Sequence, residues 1–160
     1  MNPITDIIST ASIVDTADIG PEAVAVRPAA EQILSGCRRY IAAQIHRRQA
    51  PATRRNIAAV RAAEVATSLD ALLAVHVFRN GRKRGVHTGT DAAMIKAAAR
   101  AIADNWHEAY PDPTSAPVQG LRNLTCTVYE VLIRRQVEDA ARNTPLAETE
   151  PPQTLPLFAA

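Results

Sequence analysis

The chain has 160 residues, 47% of them hydrophobic but only 4% aromatic, and a formal net charge of +2. That length fits one domain with a real core, and heavy alanine use with few aromatics argues for packed helices over a β-sandwich. No apolar run approaches the roughly 20 residues that span a bilayer, and "MNPITDIIST" lacks the basic start and apolar core of a secretion signal, so a cytoplasmic protein is expected.

Residues 1–26 contain no Lys or Arg but four acids, Asp6, Asp15, Asp18 and Glu22. They form an acidic N-terminal segment in which "PITDIISTASIV" fits a short helix before a Gly-Pro break. A longer helix is expected from Pro28, since proline is tolerated in a first turn. Ala30, Ile33, Leu34, Cys37, Ile41 and Ile45 follow three- and four-residue steps and mark its buried face to about residue 48. "APAT" breaks it, and Thr53 is placed to cap a second helix from Arg54 to about Phe78. Its core candidates are Ile57, Val60, Val65, Leu69, Leu72 and Leu73, with Ser68 and Asp70 marking a kink or a fresh start.

A third helix opens at Thr90–Asp91, with Met94, Ile95, Ala98, Ile102 and Trp106 as its inward stripe, and "YPDPTSAP" closes it. A fourth runs from Val118 to Arg142, with Leu121, Leu124, Val128, Val131 and Leu132 inward. Within it "TCTVYEVLI" also has strand propensity, which periodicity alone does not exclude. The expectation is an all-α, four- or five-helix bundle over residues 27–143, followed by a disordered tail over 144–160 that is rich in proline and acid.

Charge is strongly segregated. Residues 27–100 carry fourteen Lys/Arg against four Asp/Glu, and residues 101–160 carry four against eight. A basic middle between acidic ends suits a polyanion-binding surface, and equally suits internal pairing with the acidic ends. Arg79, Arg82, Lys83 and Arg84 crowd one loop with Gly81, Gly85 and Gly89, just before a helix N-terminus. Those are the ingredients of a phosphate contact, with Arg47, Arg48, Arg54 and Arg55 as a second group. The spacing matches neither a P-loop nor a dinucleotide fingerprint. Asn80-Gly81 after "AVHVF" also fits a basic hairpin at 75–88, the wing of a winged-helix fold, though it serves equally as a helix stop.

Catalytic constellations are missing from the pattern. His46, His76, His87 and His107 stand apart, with no H-x-x-x-H or C-x-x-C, so neither a metal nor a cofactor is expected. Asp104, His107 and Glu108 make only half of a di-metal helix motif. Cys37 and Cys126 read as small core hydrophobes without a nucleophile signature. Glu31, Glu64, Asp70 and Asp91 are too few and scattered for a magnesium-holding acid cluster. Trp106 and Tyr110, four apart, fit a packing pair better than a base-stacking one.

The tail ends in "QTLPLF", residues 153–158, apolar side chains where no fold is expected to bury them. The segment resembles the short motif, of Q-L-x-L-F form, by which bacterial proteins bind the replicative DNA polymerase sliding clamp. Carried over, Leu155 matches its first leucine, and Leu157 and Phe158 its apolar pair; Thr154 stands at the glutamine position, with Gln153 one residue earlier. The resemblance implies a partner, the clamp, and a place in bacterial, phage or plasmid DNA replication or repair. Together with the basic segment it suggests a small non-enzymatic accessory factor that touches DNA. The competing expectation is a helical protein-binding module, an inhibitor or antitoxin-like regulator, whose basic face meets an acidic partner and whose tail docks on itself or on an oligomer mate.

Overall fold

The computed structural model describes residues 19–78, 90–106, 112 and 114–144. The acidic segment before residue 19, the basic loop at 79–89 and the tail beyond 144 lie outside these residues. What is described is all-helical: α1 (Ala23–Gln49), a 3-10 turn (Ala52–Arg54), α2 (Arg55–His76), α3 (Thr90–Asp104) and α4 (Ala116–Asn143). No strand occurs among the described residues. Ala74, Val75 and His76 close α2 as helix, so the first strand required by the winged-helix alternative is absent. "TCTVYEVLI" is likewise helical inside α4, where alternate residues of a strand would have left half of its aliphatics outside the core.

α1 is the hub and packs against each of the other three helices, while α3 packs on α4. Residue pairs fix the directions. Gln32 of α1 meets His76 of α2, and Gly36 meets Leu69 and Leu72, so these two helices are antiparallel. Asp91 meets Arg134 and Ile102 meets Gly120, which makes α3 and α4 antiparallel as well. Arg48 joins the carboxyl end of α1 to that of α3. The helices therefore run up, down, up and down, with α2 laid on the outer side of α1.

α1 begins before Pro28, at Ala23, and not at the proline. One missing N–H so near the helix start costs a single backbone bond, and the added turn buries Ala23 and Val26. Gly20, at φ 98°, supplies the left-handed turn that admits the chain, and its carbonyl accepts from the Ala23 amide at 3.2 Å. Along α1 the expected stripe of Ala30, Ile33, Leu34, Cys37, Ile41 and Ile45 is buried throughout. Each aliphatic so buried contributes about 1.5–3 kcal/mol. All five expected core residues of α4 are buried too.

α2 departs from the expectation. Leu69 and Leu73 are buried and Val65 and Leu72 half-buried, but Ile57 and Val60 are 62% and 60% exposed. Ala58 and Ala62 take the inner positions instead. Further along α2, Leu69 and Leu72 pack over Gly36, where a Cβ would sit 2.8 Å from Leu72 Cδ1. Thr53 does not cap α2; it lies within the 3-10 turn, and Arg54 occupies the N-cap without a side-chain hydrogen bond. Ser68 causes no break, because its hydroxyl donates to the Glu64 carbonyl one turn back at 3.1 Å. In α3, Ala92, Ala99 and Ala103 join Ile95 and Ile102 in the core, whereas Met94 is exposed. Trp106 lies beyond the helix and packs half-buried against the core.

Candidate polyanion-contacting surface

The turn between α1 and α2 gathers His46, Arg47, Arg48, Arg54 and Arg55, and no acid interrupts residues 46–55. Their environments differ. Arg48 is committed to the fold: its Nη1 donates to the Ala103 carbonyl at 2.8 Å and its Nη2 pairs with Asp104. It thus satisfies a terminal carbonyl of α3 and places a cation at that helix's negative end. The hydrogen bond from Arg48 holds the Asp104 carboxyl below its ordinary range. Arg55 turns back toward the Ala50 carbonyl, 3.4 Å away.

Arg47 and Arg54 are exposed, and neither makes an ion pair or side-chain hydrogen bond among the described residues. Arg47 at least sits where the dipole of α1 favours a cation. Arg54 and Arg55 have no such reason. They stand at the amino end of α2, whose positive dipole end disfavours them, and no acid occupies that helix's first turn. Three arginines therefore converge on one exposed corner, at a helix end without a side-chain cap. With no acid in residues 46–55, that corner is electropositive.

The other basic group, Arg79, Arg82, Lys83 and Arg84, falls in the loop outside the described residues. The helix ends that flank it are both described. His76 and Asp91 meet consecutive residues of α4: Arg135 Nη1 donates to the His76 carbonyl at 2.5 Å and Arg134 Nη2 to Asp91 at 2.6 Å. That end of the bundle is opposite to Arg47 and Arg54, one length of α2 away, or about 33 Å for 22 residues. Gln153, Leu155, Leu157 and Phe158 also lie outside the described residues.

The groups capable of other chemistry are occupied or scattered. His46 is exposed, and His76 Nε2 lies 3.0 Å from Gln32 Oε1. Asp70 receives Lys96 Nζ at 2.7 and 2.9 Å, which ties α3 to α2. Burial pushes the Cys37 thiol up to about 12, so it stays protonated and unreactive at neutral pH. No cluster of three or more His, Cys, Asp or Glu among the described residues is placed to hold a metal ion. Among the same residues no helix is long and apolar enough to cross a membrane. Compared with known proteins, the chain matches no family model, no curated protein and no solved structure.

Proposed function

We propose that this protein is a non-enzymatic accessory factor of DNA replication or repair, which touches nucleic-acid phosphates and engages a sliding clamp through its C-terminal peptide. The observation that carries the phosphate half is the placement of Arg54 and Arg55 at the amino end of α2 beside an unpaired Arg47. A phosphate there would meet guanidinium groups at the positive end of a helix dipole. Arg48 is excluded from that role by its bonds to Ala103 and Asp104. The clamp half rests on the resemblance of residues 153–158 to the clamp-binding motif, with Leu155, Leu157 and Phe158 as its apolar anchors. Salt titration of duplex-DNA binding tests the phosphate half. Affinity should fall linearly in log–log form, and Arg47→Ala or Arg54→Ala should each lower the slope by about 1. A protein with no affinity for DNA at low salt would end this half of the reading.

A second reading has its own observation. The outer face of α2 exposes Ile57, Val60 and Val75, with only Arg61 and Glu64 as charges on its outward side. Such a face fits a protein-binding module, with the arginine corner meeting an acidic protein surface. Loss of partner binding on Val60→Glu, with DNA affinity unchanged, would favour this alternative.

A further inference from the structure

Between the carboxyl half of α3 and the amino half of α4 runs an open groove of about 240 Å³. Its floor is Ile102, Gly120 and Leu124, and its rims carry Ala101, Asn123 and Thr127. At the floor Ile102 packs closely on Gly120, where a Cβ would come 3.0 Å from Ile102 Cγ1. The volume is below the range of small-molecule sites but accepts one or two apolar side chains. Asn123 and Thr127 put an amide and a hydroxyl on one rim, where they can serve the backbone polar groups of an extended peptide.

We infer that this groove is the resting dock of the chain's own Leu155–Phe158 segment. The length of chain beyond α4 supports this occupant. Eleven steps separate Thr144 from Leu155, and an extended proline-bearing chain advances about 3.1 Å per step, for a span of about 34 Å. From Thr144 back to Leu124 along α4 is twenty residues, about 30 Å of helix. Leu155 therefore reaches the level of Leu124, and the three following residues carry Phe158 on toward Gly120. Pro145, Pro151 and Pro152 lie within that connection and favour the extended form it needs. Leu157 and Phe158 would be withdrawn from water on the bundle, and released only to a partner that binds them more tightly.

The regulatory consequence, competition between groove and clamp, rests on the clamp reading proposed above; the docking itself does not. Backbone resonances of the full-length protein provide a test with no partner present. Between the native chain and the double variant Leu157→Ala/Phe158→Ala, the amides of Ala101, Gly120, Asn123 and Thr127 should shift, while those of Ala52 and Thr53 stay fixed. The shifts should not vary with protein concentration. In an Ala101→Phe background, where the groove is filled from an exposed rim, the same tail substitutions should leave these amides unmoved. Unshifted groove amides in the native background would overturn the inference, and concentration-dependent shifts would do so by placing the peptide on a second copy. Failure to capture a clamp would leave these spectra unchanged, so the two ideas fall separately.

Discussion

Arg48 reaches from the last turn of α1 to Asp104, the last residue of α3, and to the Ala103 carbonyl beside it at 2.8 Å. One side chain thereby closes the end of the bundle where α1, α2 and α3 meet. It also sets Arg48 apart from Arg47 and Arg54, which make no ion pair or side-chain hydrogen bond among the described residues.

That division is measurable. Arg48→Ala should lower stability by about 1 kcal/mol through the lost hydrogen bond to Ala103, seen as a fall in Tm of about 3–5 °C. Arg47→Ala and Arg54→Ala should leave Tm within about 1 °C. Thermal melts of the three variants check this directly, and equal losses in all three would refute the assignment.

The same contact is sensitive to acid. The hydrogen bond from Arg48 holds Asp104 below the ordinary aspartate value of 3.8. A depressed folded value means that the contribution is fully present above 3.8 and is lost as pH falls through the lower folded value. Urea melts of the native protein and Asp104→Asn should therefore differ at pH 7 and converge as the pH is taken well below 3.8. A gap that persists unchanged in acid would show that Asp104 acts by some means other than its charge.

Leu69 and Ile57 give the sharpest contrast on α2. Leu69→Ala removes a side chain that is 1% exposed and should cost about 2–5 kcal/mol. Ile57→Ala removes one that is 62% exposed and should change stability by no more than about 0.5 kcal/mol. Comparable losses would mean that α2 is rotated relative to the packing described.

Gly36 sets how closely α2 lies on α1. Gly36→Val would drive a branched side chain into Leu72 and the fully buried Leu69, at a cost of about 1–3 kcal/mol in denaturant unfolding. A neutral result would contradict the close approach.

The two thiols should separate by reactivity. Cys37 is buried, with its thiol pushed up to about 12, while Cys126 is half-buried. An alkylating reagent at pH 8 should modify Cys126 first and reach Cys37 only at the rate of unfolding. Mass spectrometry of the labelled peptides reads the order.

The fold was legible where bulky aliphatics carried the pattern. Ile33, Ile41 and Ile45 in α1, and Leu121, Leu124 and Val128 in α4, recur at helical spacing and are all buried. α2 was misread on its amino half because periodicity weighs size. There the inner positions belong to Ala58 and Ala62, too small to stand out in a pattern of bulky residues. The ring of Pro28 suits a first helical turn, yet α1 begins at Ala23 because the preceding residues have apolar side chains to bury. The arginine corner was visible as charge, but the commitment of Arg48 was not, since its partner Asp104 stands 56 residues further on. No local signal announces so distant a pair.

We propose that residues 153–158 dock on a sliding clamp. The most direct test is retention of purified bacterial sliding clamp on the immobilised full-length protein and on the same protein lacking residues 153–160. Retention by the first and its loss from the second are expected, with Leu157→Ala/Phe158→Ala behaving like the truncation. Equal retention by both, or retention by neither, would contradict it.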